Sequence, residues 1–188
     1  MAEVLLFHHA QGLTPGVAAF ADELRAAGHV VHAPDLYDGE TFETTEDGVA
    51  HAKEVGFETI LERGRAAAKT LPAELVYAGF SLGGMPAQML AQTRPGARGA
   101  LLFHAALPPS EFGSGWPPGV PLQIHFMEDD PWAEEDLPAA REIVATVDGA
   151  ELFLYPGDRH LFADSSRSDY DEHCAMLLKE RVLAFLAD

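Results

Sequence analysis

Short apolar runs and longer amphipathic stretches alternate along this chain from one end to the other. The runs at residues 4–7, 30–33, 75–78, 100–103, 122–126 and 152–155 are rich in Val, Leu, Ile and Phe and carry few polar positions. Strands covered on both faces read this way. Between them, apolar positions recur with a period near 3.6 at 16–27, in a broken stretch from 46 to 70, and at 84–93, 134–147 and 172–187. Those stretches predict helices. Alternation of this kind predicts an α/β fold: a mostly parallel sheet of about six strands with helices on both faces. Pro and Gly cluster at 108–121, which reads as a loop. With no internal repeat or low-complexity linker, the 188 residues are expected to form one domain.

In an open parallel sheet the functional cleft lies beyond the carboxyl ends of the strands. His8-His9-Ala10-Gln11-Gly12 follow the first predicted strand, and Pro34-Asp35-Leu36-Tyr37 the second. Ser81 follows the third and His104 the fourth. Met127-Glu128-Asp129-Asp130-Pro131 follow the fifth, and Pro156-Gly157-Asp158-Arg159-His160 the sixth. A serine, several acids and a histidine thus share one end of the predicted sheet. The segment Gly79-Phe80-Ser81-Leu82-Gly83-Gly84 also has the form G-x-S-x-G. Such a pattern arises by chance in glycine-containing chains, and its weight comes from the strand before it and the helix after it. Between those elements it predicts a nucleophile elbow, a turn tight enough to hold Ser81 at positive φ.

A serine hydroxyl needs a base to become nucleophilic, and a histidine base needs a carboxylate to orient it. Among nine histidines, His160 is favoured because it lies on a Gly-containing loop after the last strand, before the terminal helix. Asp130, which precedes Pro131, is the favoured acid, with Asp129 and Glu128 as rivals. The order Ser81, Asp130, His160 is that of the α/β-hydrolases. Phe112, Trp116 and Trp132 fall in loops at the same end and are candidates for lining a pocket.

Composition narrows the partners. The formal net charge is −18, which repels phosphate backbones and anionic membrane surfaces. No apolar run approaches a membrane span. The first residues read as a strand and not as a signal peptide, so a cytoplasmic location is the default expectation. The single cysteine, Cys174, excludes an intramolecular disulfide and is expected in the core. The histidines lack metal-site spacing, and no G-x-G-x-x-G or Walker pattern occurs. Neither a metal nor a cofactor is expected.

Over essentially its whole length the chain resembles the dienelactone hydrolase family of the α/β-hydrolase superfamily. The matching segments are Ala33-Pro34-Asp35-Leu36-Tyr37, the Ser81 elbow, His125-Phe126-Met127-Glu128-Asp129-Asp130, and Tyr155-Pro156-Gly157-Asp158-Arg159-His160-Leu161-Phe162-Ala163. The resemblance implies the triad Ser81, Asp130 and His160, with oxyanion donors at the backbone N–H groups of Leu82 and Ala10. This chain departs from the type enzymes in four places. Ser81 stands where they have cysteine, and Met127 where glycine is usual. His9 stands where they have glutamate, and Asp164 where an arginine grips the substrate carboxylate. His9, Asp35, Tyr37, His104, Trp116, Trp132, Arg159 and Asp164 are the candidates for contacting substrate, and His9 is expected to titrate beside Ser81.

The loop between the fourth and fifth strands is too short for a cap domain. The function expected is hydrolysis of a small carboxylic ester or lactone through an acyl-enzyme, with neutral substrates favoured over carboxylates. An acyl thioesterase, a lipid esterase, or a non-catalytic ligand-binding protein on the same fold are the alternatives.

Overall fold

The computed structural model describes residues 1–113 and 115–187. Six strands and six α-helices follow one another as β1 (Glu3–Phe7), α1 (Pro15–Ala26), β2 (Val30–His32), α2 (Thr45–Val55), α3 (Phe57–Ala68), β3 (Val76–Phe80), α4 (Gly84–Thr93), β4 (Gly99–Phe103), β5 (Leu122–Met127), α5 (Asp136–Thr146), β6 (Ala150–Tyr155) and α6 (Glu172–Ala187). Every neighbouring pair of strands is parallel, in the order β2-β1-β3-β4-β5-β6.

The two sheet faces alternate as a period of two requires. Leu5, Phe7, Tyr77, Leu102 and Ile124 share one core cluster with Ile60, Ala87, Leu90 and Ile143 of the helices on that side. Leu6, Ala78, Phe80, Leu101 and Phe103 share the other with Phe20 and Leu24 of α1 and Cys174, Leu178 and Val182 of α6. Cys174 is a buried core residue.

The strands fall where the apolar pattern puts them, with local differences. β3 extends through Gly79 and Phe80, because these residues stay paired with Leu102 and Phe103 of β4. β2 ends at His32; Ala33 precedes Pro34, whose ring restricts the residue before it. The broken helical stretch is two helices, divided at Gly56, which has φ 89. That value lies outside the helical region and suits only glycine readily. Thr14 caps α1 by accepting the Val17 N–H, with Pro15 at the first helical position.

Between β4 and β5 the described residues hold a single short 3₁₀ turn, Pro109–Phe112, and no cap. The chain direction along the sheet reverses between β1 and β3, which opens a crevice at their carboxyl ends. No helix among the described residues is long and apolar enough to cross a membrane.

Candidate active site

The register of β3 aligns Phe7 with Gly79 on one side and Phe80 with Phe103 on the other. Ser81 therefore leaves the sheet with the β1 loop on one flank and His104 on the other. It opens the one-turn helix Ser81–Gly83 that leads into α4. Its φ is 47, a left-handed conformation that costs about 1–3 kcal/mol in a residue with a side chain. The flanking glycines explain how the turn closes. A Cβ on Gly79 would strike the Gly83 carbonyl, and one on Gly83 would strike the carbonyls of Phe7 and His8. Backbone atoms cannot swing aside, so both positions need glycine.

The half-buried Ser81 hydroxyl donates to His160 Nε2 at 2.8 Å. His160 Nδ1 lies 2.7 Å from Asp130 Oδ2. An ionised carboxylate only accepts, so Nδ1 carries the proton and Nε2 presents its lone pair to the serine. The second oxygen, Asp130 Oδ1, accepts the Trp132 N–H at 2.9 Å. Both His160 and Asp130 are buried. Asp129 and Glu128, the rivals for the acid, are exposed. The Asp129 N–H donates to the Gly157 carbonyl instead, which pins the acid loop to the histidine loop.

Leu82 is the second residue of the elbow helix, so its N–H precedes the first intrahelical bond. Ala10 sits one turn beyond β1, and among the described residues its N–H has no backbone acceptor. Its neighbours are fixed. The Gln11 N–H donates to His9 Nδ1 at 3.2 Å, and Gln11 accepts the Phe42 N–H at 3.0 Å. Gly48 of α2 packs so closely on the Ala10 carbonyl that a Cβ there would overlap it. Leu82 lies in the elbow itself, and Ala10 in the loop after β1, the strand paired with β3.

Two positions where the chain departs from its type enzymes come together. His9 Nε2 donates to Asp164 Oδ2 at 2.7 Å, and both side chains are fully buried. Asp164 also accepts from the Thr14 hydroxyl and from the N–H and hydroxyl of Ser166. Burial alone would raise the Asp164 pKa, but the hydrogen bonds from His9, Thr14 and Ser166 outweigh it and hold the group well below the usual carboxylate range. Burial holds His9 below the ordinary histidine value, against the pull of Asp164. Two expectations are corrected. His9 is a buried strut with both nitrogens engaged by Asp164 and the Gln11 N–H, and does not present a ring nitrogen to a ligand. Asp164 is a buried anchor that joins the β1 loop to the His160 loop, with both carboxylate oxygens occupied by protein donors.

The other candidates divide. His104 is buried at φ 62, with neither ring nitrogen bonded to protein. Its ring centroid lies 5.7 Å from that of His160, with the Phe162 ring edge-on at 4.8 Å. Burial holds it neutral. Trp132 is 41% exposed, and its indole lies 5.9 Å from the His160 ring. Tyr37 is a core residue, packed edge-on against His8 and His51. Asp35 shapes its own turn by accepting the Tyr37 and Gly39 N–H groups. Trp116 donates to the Val120 carbonyl at 2.7 Å and packs on the core. Arg159 donates to the Tyr170 carbonyl at 2.8 Å and lies 3.7 Å from Asp171. Tyr37 and Trp116 are thus taken up by the core, while Asp35 and Arg159 stay exposed with their polar groups on neighbouring backbone.

Three contributors escaped sequence reasoning. His8 Nε2 accepts the Leu36 N–H at 2.9 Å while Nδ1 donates to the His9 carbonyl, tying the β1 loop to the β2 loop. Thr14 serves Asp164 as well as α1, a link across 150 positions that no local pattern carries. Asp136, at the start of α5, accepts the Ala106 N–H at 3.2 Å and lies within electrostatic reach of His160 and Asp130.

A parallel sheet in this strand order, with a serine elbow after β3, defines an α/β-hydrolase. Within that class the chain belongs to the dienelactone hydrolase family, whose profile matches residues 1–188. Among solved structures it is similar to a dienelactone hydrolase-like promiscuous phosphotriesterase from metagenomic libraries, at 17% identity and a TM-score of 0.79, covering 100% of this chain and 86% of that one. It is also similar to a dienelactone hydrolase from Anabaena variabilis, at 17% identity and 0.72, covering 100% and 86%. Esterase 2 of Thermogutta terrifontis is similar at 18% identity and 0.65, covering 99% and 82%. These likenesses carry the fold. No curated protein matches the chain.

Proposed function

We propose that this protein is a serine hydrolase of small carboxylic esters or lactones. Ser81 attacks the acyl carbon while His160 takes its proton. The tetrahedral oxyanion then accepts from the Leu82 and Ala10 N–H groups. The imidazolium returns the proton to the leaving oxygen as the carbon–oxygen bond breaks. Water, deprotonated by the same imidazole, then releases the acid from Ser81. Asp130 keeps the imidazole in the tautomer this exchange requires.

The observation that carries the reading is the continuous hydrogen-bonded chain from Ser81 Oγ through His160 to Asp130, at 2.8 and 2.7 Å, with the serine held in a left-handed conformation. A fluorophosphonate probe tests it, because it reacts only with an activated serine. Labelling of the wild type, its loss in Ser81→Ala, and loss of nearly all turnover of a small aryl ester are expected. Ser81→Ala retaining more than about a tenth of kcat would rule out a Ser81 acyl-enzyme as the main route. Absence of labelling in the wild type would favour the ligand-binding alternative. A panel of matched esters, lactones and acyl thioesters ranks the acyl classes.

A further inference from the structure

The leaving group of any substrate must lie on the His160 side of Ser81, because His160 Nε2 delivers its proton. Two side chains mark that side. Trp132 presents a partly exposed indole beside the imidazole, tilted 37° to it. Its backbone N–H is bound to Asp130, so its place follows the acid. Asp136 is half-buried, with one oxygen on the Ala106 N–H. The carboxylate's only hydrogen bond among the described residues is that one, and the Lys, Arg and His side chains in ion pairs there are paired with other carboxylates. No Lys or Arg occurs from 99 to 140, where Glu128, Asp129, Glu134 and Glu135 are exposed, and the exposed Arg159 beside His160 is held by the Tyr170 carbonyl and Asp171.

We propose that Trp132 and Asp136 form a subsite for a cationic leaving group, an ester whose alcohol carries a quaternary or protonated amine a few bonds from the ester oxygen. This rests on the serine-hydrolase reading and names its substrate class. An indole is the best aromatic platform for an alkylammonium cation, which needs a flat face and not a hydrogen-bond acceptor. The Asp136 carboxylate supplies the counter-charge. It also offsets repulsion between the bound cation and the imidazolium that forms on His160 during the reaction. An anionic alcohol would be repelled by the same rim, and a neutral one would gain only contact area. The net charge of −18 steers a cation toward the protein in a salt-dependent manner. The chemistry balances as ordinary acyl transfer: Ser81 Oγ gains the acyl carbon, and the amino alcohol leaves with the proton from His160.

The test compares acetylcholine with 3,3-dimethylbutyl acetate, which replaces the charged nitrogen with carbon at nearly constant shape. The readout is the ratio of the two kcat/KM values within each variant, so general losses cancel. In the wild type at low ionic strength a preference of roughly tenfold for the cation is expected, shrinking as salt is added. Trp132→Leu and Asp136→Asn should each bring the ratio down toward one. A wild-type ratio of one or less, or a ratio that neither variant moves, overturns the subsite. Binding separates this proposal from the hydrolase reading beneath it. Tetramethylammonium is titrated into Ser81→Ala in a Trp116→Phe background, where Trp132 is the only indole. A saturable change in its fluorescence, absent in Asp136→Asn, supports the subsite whatever the serine does. No saturable change overturns it, even if the probe labels Ser81. Saturable binding with no labelling of wild-type Ser81 overturns the hydrolase reading alone.

Discussion

Asp130 has both carboxylate oxygens engaged, one on His160 and one on the Trp132 N–H. Asn in its place would turn an NH₂ group toward one of those two donors. The imidazole would then favour the tautomer that presents N–H to the serine. Asp130→Asn is therefore expected to lower kcat by about 10³–10⁴. Asp129→Asn changes an exposed side chain and should leave kcat within about twofold. Steady-state kinetics on the two variants check the assignment, and the reverse ranking would move the acid by one residue. The residue scale also explains why neighbours so similar in sequence differ in function. The loop turns one carboxylate inward and its predecessor toward solvent.

At the scale of elements, the site is a junction of loops that helices hold in place. α2 touches the Ala10 carbonyl through Gly48. Gly48→Ala is locally favourable for a helix by about 1 kcal/mol. Its Cβ would nonetheless displace the Ala10 peptide, which the proposed mechanism needs fixed. kcat is expected to fall between about tenfold and a hundredfold, while circular dichroism shows the helices retained. Unchanged kcat would remove Ala10 from the oxyanion hole. The Asp164 anchor acts on the same loop from the other side. With Asp164→Asn, His9, Thr14 and Ser166 would be left with one fewer acceptor site in a buried setting. A loss of stability on the order of 1–3 kcal/mol is expected, as for leaving a buried donor without its acceptor, and denaturant unfolding measures it.

For the whole molecule, the buried histidines set the response to acid. His8 is pushed down to about 4 and His125 to about 3, in both cases by burial. His9 and His104 are lowered for the same reason. In the unfolded chain these groups take up protons near 6.5, whereas the folded chain keeps them neutral. Their contribution is fully present above about 6.5 and is lost as pH falls from there toward the folded values. For His8 alone the difference amounts to about 3 kcal/mol. Asp164, held low in the folded state, adds a loss of the same sign below the ordinary carboxylate range. Tm is expected to fall steadily from pH 7 to pH 4, and His8→Gln should flatten the slope between 6.5 and 4. A Tm flat over that range would show that these histidines are not held neutral in the folded chain.

The six strands, the elbow and the place of Ser81 and His160 were legible in the sequence. Each is encoded locally, by a period of two or 3.6, by Gly79 and Gly83 around a serine, or by position just after a strand. The geometry of the elbow depends on the close approach of its own glycines, so its residue pattern nearly specifies it. What joins distant segments was not legible. His9 and Asp164 lie 155 positions apart, and their pairing exists only because the sheet order brings the β1 loop beside the loop after β6. The same order buries His104 and sets Trp132 against His160, while Trp116, a similar residue in a similar loop, turns into the core. Side chains in loops carry no periodic signal of direction. Only packing against elements far away in the chain decides which of them meets a ligand.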